Sequence, residues 1–432
     1  MSKTSVLRSG LRSPRAIVAA MAVALAAALL VASPHPAAAA SAEGLSCETS
    51  PSSSFALRTY TGYIFMPDGN SVYMWSYGTE QGGFQVPGPT LCVTEGDTVT
   101  VTLTNTLAEP VSIAFPGMTG VQADGAPVQP VLGTGDRITS LVKPAAANGG
   151  TVTYTFTAAR PGTYLYNSGT DQAKQIQMGL YGALIVRPAG APSQAYASPD
   201  TYFDQGHEYL QLLSEIDPAL HLAVERNRAY DITKYLPRYF LINGRAMPDT
   251  LAPNDAAWLP GQPYGGMVHV QPGDKALIRY LNAGMKTYPY HPHGDDQQVI
   301  AQDASPLVTT AGDHSYEKFL IDVAPGQTVD TIFQWQDVEH WDPLTNPVPV
   351  ELPPLNDQML GGGTDTWYSE SPYLGQQGEL PANIISNNEC GEYYHIAHSH
   401  ALEQATNFGA AFGGMMTLIR IDPPTGCPGT AQ

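Results

Sequence analysis

Thiols are scarce in this chain. Its 432 residues hold four cysteines, Cys47, Cys92, Cys390 and Cys427, and no two of them stand in C-x-x-C spacing. That spacing argues against thiolate metal sites and redox dithiols. Positive charge is also scarce: 20 Lys and Arg face 39 Asp and Glu, for a net charge of -19. A surface this acidic repels phosphate backbones, so nucleic acid is not an expected partner. After residue 40 no apolar run reaches the roughly 20 residues of a membrane span, so none is expected in the processed chain. Long helical patterns are few. What remains, 42 Gly and 37 Pro within 43% hydrophobic residues, describes a loop-rich β protein rather than a disordered one.

The first forty residues read as a signal peptide. Lys3, Arg8, Arg12 and Arg15 make a basic start, Ala16 to Val31 is apolar, and Ala38, Ala39 and Ala40 fit a small-residue cleavage site. The run is short for an anchor, and Pro34 and Pro36 follow it. Cleavage removes those four positive charges and no acidic residue, taking the net charge from -19 to -23. The processed protein is expected to be secreted or extracytoplasmic. In that oxidising setting four cysteines suggest two disulfides, and Cys47 with Cys92 and Cys390 with Cys427 keeps each within one half of the chain.

Residues 41–57, rich in Ser and Ala at their start, read as a mobile lead-in. Alternating apolar and threonine positions at Val99, Val101 and Leu103, and again from Thr151 to Phe156, indicate half-buried strands. Residues 58–187 form a first all-β unit, 188–209 a Pro-containing linker, and 210–432 a second unit. The halves echo each other: Val93-Thr-Glu-Gly96-Asp97 leads to Asn105, and Val270-Gln-Pro-Gly273-Asp274 leads to Asn282 at the same distance. A duplicated β-sandwich accounts for this repeat. Only 341–389, a Pro- and Gly-rich loop, breaks it, either as a lid or as a surface excursion.

Chemistry concentrates in two stretches, Tyr288-Pro-Tyr290-His291-Pro292-His293-Gly294 and Tyr393-Tyr394-His395-Ile-Ala-His398-Ser399-His400. Side chains alternate along a strand, so each H-x-H pair leaves one face and four imidazoles could converge. A nitrogen-only set suits copper first, with zinc, iron or nickel behind it. One or two ions are expected on His291, His293, His398 and His400. His395 is a possible fifth ligand, although alternation turns it to the other face. Tyr288, Tyr290, Tyr393 and Tyr394 could shape a pocket or pack between strands. Asp295 and Asp296 could orient an imidazole or be solvated turn residues. Tyr288, Tyr290 and Asp295 are the catalytic candidates.

Taken with V-P-G-P-T-L-C-V-T-E-G-D from Val86, G-L-Y-G-A-L-I-V from Gly179 and F-L-I-N-G from Phe240, these stretches resemble the multicopper oxidases of the two-domain, laccase-like kind. The resemblance implies two cupredoxin-like Greek-key sandwiches. It also implies histidine pairs in the first half, where this chain has Ala114-Phe115-Pro116-Gly117 and Asn167-Ser168-Gly169. Tyr288, Ser399 and Gln404 stand where the family holds its blue copper, so that thiolate centre is expected to be absent. Met415 and Met416 then read as packing. The implied activity is a copper-dependent oxidoreductase of altered type, acting on a small-molecule or metal-ion substrate; the alternative is a non-catalytic copper-binding or interaction protein. The family also implies a homo-oligomer, a trimer.

Overall fold

A computed structural model describes residues 44–309, 311–336, 392–409 and 413–423. The signal peptide, the 341–389 loop, the side chain of Tyr393 and the Cys390–Cys427 pairing lie outside the described residues. Strands dominate, as the composition predicts.

In the first half, strands β1 (Ser54–Phe65), β2 (Ser71–Gly78), β3 (Leu91–Thr94), β4 (Thr98–Asn105), β5 (Gly150–Thr157), β6 (Gly162–Asn167) and β7 (Tyr181–Arg187) make two sheets. One runs β2-β1-β4-β5 and the other β6-β7-β3. β1 lies parallel to β4 and β3 parallel to β7. On β4 and β5 threonine alternates with Val, Leu, Tyr and Phe, so one face of each is buried. Phe55, Val101, Tyr154, Phe156 and Leu184 fill the space between the sheets.

The second half repeats this plan with β8 (Glu208–Ile216), β9 (Tyr239–Ile242), β10 (Val268–Val270), β11 (Ala276–Asn282), β12 (Tyr288–Pro292), β13 (Gln297–Gln302), β14 (Ile321–Val323), β15 (Thr328–Phe333), β16 (Tyr393–Ser399) and β17 (Met416–Ile421). Its sheets run β9-β8-β11-β15-β13 and β10-β17-β16-β12-β14. Again the first strand is parallel to its neighbour, β8 to β11, and β10 is parallel to the closing β17.

The repeated sequence signature is a repeated piece of physics. Gly96 and Gly273 take φ of 91° and 94°, a conformation that costs glycine little. Asp97 Oδ2 accepts the Thr94 N–H at 2.9 Å, and Asp274 Oδ2 the Gln271 N–H at 2.7 Å. At the far end of each strand a buried asparagine ties down the next loop: Asn105 Nδ2 donates to the Glu109 carbonyl and Asn282 Nδ2 to the Lys286 carbonyl, both at 2.7 Å.

Two segments differ from the composition-based reading. The expected mobile lead-in is pinned from residue 44 onward: Cys47 is disulfide-bonded to Cys92, Leu45 N–H donates to the Glu208 carbonyl, and β1 begins at Ser54. In the linker, Ala195, Tyr196 and Phe203 are buried against Leu277, Ile300 and Ile332, so it is packed along its middle. Between the halves lies a shared apolar layer, including Ile64, Met74, Leu165 and Ile185 with Leu210, Leu212 and Leu281. Beside it, Arg279, with no exposed surface, bonds Glu208 at 2.8 Å and Thr163 at 2.9 Å and lies 3.4 Å from Asp330.

Candidate metal centre

Strand register builds the site. β12 and β16 are antiparallel with His291 directly opposite His398, a placement that brings facing side chains within about 5 Å at Cβ. Pairing continues past both strand ends: the His293 N–H donates to the Ile396 carbonyl at 2.8 Å and the His400 N–H to the Pro289 carbonyl at 2.7 Å. Alternation then puts all four side chains on one face. Pro292 fits because its nitrogen turns to the other edge, where pairing with β14 has stopped at Tyr290. β12 is thus interior to the sheet at Tyr288–Tyr290 and becomes an edge only at its end.

The four rings gather as the sequence predicts. Centroids are 4.6 Å apart for His291 and His293, 5.4 Å for His293 and His398, 5.4 Å for His291 and His400, and 5.9 Å for His398 and His400. His398 is buried, His291 and His293 half-buried, and His400 exposed. Two Nδ1 atoms are tied off by carbonyls, His291 to Phe319 at 2.6 Å and His398 to Ser399 at 2.8 Å. A carbonyl only accepts, so each Nδ1 carries the hydrogen and, in the neutral ring, each Nε2 keeps its lone pair. His293 Nε2 sits 3.3 Å from His398 Nε2.

Burial, and then the neighbouring imidazoles, push His293 down to about 4. Burial lowers His398 as well, against the pull of the Ser399 carbonyl. Both rings are therefore neutral near neutral pH, the form a metal needs.

One pair of rings has the spacing of two ligands on a shared ion. Two metal–nitrogen bonds of about 2.0–2.1 Å at a tetrahedral angle place their nitrogens about 3.3 Å apart, the spacing of the His293–His398 pair. Among the described residues no group of three or more His, Cys, Asp or Glu side chains is already arranged to hold an ion. The pair is preorganised, and His291 and His400 have their rings beside it.

The remaining sequence candidates separate from this face. His395 is fully buried, with its ring 5.9 Å from Trp335, and burial lowers it to about 3. The charge of His293 adds to that lowering, after burial. Tyr288 and Tyr290 point into the core, and Tyr290 lies 5.3 Å from the Tyr280 ring. They do not line the open side of the histidine site. Tyr394 donates to Glu392 at 3.1 Å. Asp295 is exposed and accepts the Asp296 N–H at 2.8 Å, as a turn residue does. Partial desolvation of its carboxyl raises its pKa.

Phe319 is the residue the sequence did not announce. Its carbonyl holds His291, its ring stands 5.8 Å from that imidazole, and it is 60% exposed at the rim. No side-chain pattern signals a backbone acceptor.

The positions that differ from the resembling family are filled by packing and hydrogen bonds. Ala114 and Asn167 exchange backbone hydrogen bonds of 2.7 and 3.1 Å, and Phe115 packs on Phe156 with centroids 4.7 Å apart. Ser399 Oγ donates to Gln404 Oε1 at 2.5 Å. Met415 and Met416 are buried, as packing residues are.

Comparison with known proteins agrees with this scaffold. Residues 74–191 match the family model described as multicopper oxidase. Laccase-8 of Oryza sativa subsp. japonica is 28% identical over 253 residues, covering 57% of this chain and 40% of that one. Copper resistance protein A of Escherichia coli is 28% identical over 233 residues, covering 47% and 35%. The matched stretches span less than half the length of these curated relatives. The solved multicopper oxidase mgLAC superposes with a TM-score of 0.55 at 21% identity, covering 86% of both chains. Blue copper oxidase from Nitrosomonas europaea does so with 0.55 at 20%, covering 85% of both. At such identities these two structures speak for the fold, two cupredoxin-like sandwiches.

Proposed function

The chain being a divergent multicopper-oxidase-like protein with a copper oxidoreductase-type scaffold, we propose that it is an exported copper-binding oxidoreductase with a histidine-only site in its second half. The observation that carries this is the His293–His398 pair, 3.3 Å between Nε2 atoms, with the Nδ1 hydrogens of His291 and His398 held by carbonyls. His293 and His398 would hold the ion, with His291 and His400 completing the set for one ion or for two. Bound copper would supply one-electron redox chemistry. His291 and His398 present fixed lone pairs, His400 leaves one side open to water, and Phe319 and Leu402, 60% and 63% exposed, offer apolar surface close to His291 and His400 in space or sequence. A small molecule or metal ion would meet the site directly, without a blue copper relay.

The test is metal analysis, electron paramagnetic resonance and oxygen uptake on purified protein. One or two coppers per chain, no blue thiolate band, and oxygen uptake with a phenol, amine or metal-ion substrate that disappears in His398→Ala and His291→Ala are expected. A blue band would overturn the alignment of Ser399.

A second reading has its own support. The locus of Tyr288, Ser399 and Gln404 holds no thiolate for electron entry, so a copper-holding protein without turnover is the alternative. Stoichiometric copper with no oxygen uptake for any of these substrate classes would establish it. Export is tested by the mass of the secreted chain, expected to begin after Ala40. The trimer is tested by light scattering; a monomer would show that the family's assembly does not extend to this chain.

A further inference from the structure

A chain of buried hydrogen bonds stands directly behind the histidine site. Ser399 Oγ donates to Gln404 Oε1 at 2.5 Å, and Gln404 Nε2 donates to the Thr287 carbonyl at 3.3 Å. Ser399 is held at two further points: its N–H donates to the Met415 carbonyl at 3.0 Å, and its hydroxyl accepts the Ala401 N–H at 3.3 Å. Both side chains are buried. One polar group of Ser399 acts toward the metal centre, the carbonyl oxygen that accepts the Nδ1 hydrogen of His398 at 2.8 Å.

We infer that Ser399 and Gln404 are positioning residues for His398. The single helical turn Leu402–Ala405 carries Gln404 back to Ser399, and the amide-to-hydroxyl bond closes the loop that follows β16. That closure fixes the direction of the Ser399 carbonyl. The carbonyl in turn selects the Nδ1–H form of the ring and its rotation, so Nε2 is aimed at His293. The locus that resembles a thiolate-copper site therefore works here as a brace for the neighbouring imidazole. The inference rests on the proposal that His398 holds an ion. Its energetic scale is that of an orienting partner to a ligating histidine, whose loss typically costs 10–100-fold in metal affinity.

The test uses the full processed chain, metal-free, with nitrogen-15 label in histidine, and the variants Ser399→Ala, Gln404→Ala and Ser399→Thr. In the native protein the His398 ring signals should show hydrogen on Nδ1. In both alanine variants that ring should become a mixture of tautomers, and Zn(II) affinity by calorimetry should fall about 10–100-fold with the thermal melt still cooperative. Ser399→Thr keeps the hydroxyl and should return both readouts toward native. Folded alanine variants with the native ring signals and native affinity would overturn the inference. Should an alanine variant not fold, Gln404→Asn, which keeps the amide but shortens its reach, is judged by the same two readouts. A native chain that takes up neither Zn(II) nor Cu(II) would remove the metal proposal, while the ring signals would still decide for or against the brace.

Discussion

Metal uptake at this site should survive mild acid, which ordinary imidazole ligands do not allow. A proton competes with the ion for the same lone pair, so affinity is full above a ring's pKa and declines below it. An unperturbed histidine has a pKa of about 6.5; at pH 5.5 it loses about an order of magnitude in apparent affinity, and two such rings lose about a hundredfold. His293 is held down to about 4 by burial and by its neighbouring imidazoles, and burial lowers His398 too. Protonation of His293 at pH 5.5 is then minor, and between pH 7.5 and 5.5 the pair should weaken by clearly less than the roughly hundredfold of two ordinary rings. Calorimetric titration with Zn(II), which is redox-silent, measures this in non-coordinating buffers. The His291→Ala/His400→Ala double variant removes two neighbouring imidazoles but keeps burial, the first cause of both shifts, and so tests the pair by itself. A hundredfold loss by pH 5.5 in that variant would show that the two rings are solvated, and the reading of their burial would fall.

Three stability measurements follow from other parts of the molecule. His221 is buried, its Nδ1 donates to the Tyr73 carbonyl at 2.7 Å, its Nε2 has no hydrogen-bond partner among the described residues, and burial brings it down to about 4. Its folded pKa lies below the unfolded one, so its contribution is full above about pH 6.5 and is lost as pH falls toward 4, at up to about 1.4 kcal/mol per pH unit; urea unfolding at pH 7 and pH 5 should show a shallower pH dependence in His221→Gln. Arg279→Met leaves Glu208 with Arg187 as its remaining cation and Asp330 with only the Thr163 and Tyr196 hydroxyls in the layer between the halves, and should cost about 3–5 kcal/mol, read as a lower urea midpoint; an unchanged midpoint would mean that the network is hydrated. Breaking Cys47–Cys92, a closure over a sequence separation of 45, with Cys47→Ser should cost about 4 kcal/mol, and reductant should reproduce that loss in the native chain.

What was legible in the sequence was local or periodic. The G-D turns announced themselves because a positive φ and an Asx side-chain bond depend on three or four adjacent residues. The convergence of His291, His293, His398 and His400 followed from a period of two and one strand pairing. The same period should have separated Tyr288 and Tyr290 from the histidines, since even and odd positions of β12 face opposite ways. Nearness along the chain is not nearness in space. Composition misled at residues 44–57, where Ser and Ala suggest mobility but a disulfide and the Leu45 backbone bond hold the segment. The role of Phe319 was illegible because a carbonyl belongs to every residue, and only the tertiary path of the segment before β14 aims this one at His291.

The two loci in the second half differ in how their polar atoms are used, and that difference bears on function. At Tyr288, Ser399 and Gln404 the hydroxyl of Ser399 and both ends of the Gln404 amide are bonded to protein groups, which leaves the buried Tyr288 hydroxyl as the one side-chain oxygen of the three without a partner among the described residues. At the histidine site the carbonyls take up only the Nδ1 side of His291 and His398. Those bonds leave basic lone pairs on Nε2, and beside them burial disfavours protonation of His293 and His398. A histidine kept neutral there gains more from a cation than from water, because the cation answers several lone pairs at once. Substituting His398 by Asn, which retains a polar side chain but has no second ring nitrogen to anchor, should therefore leave the fold intact and abolish tight metal uptake. Retention of native Zn(II) affinity in folded His398→Asn would locate the ion elsewhere.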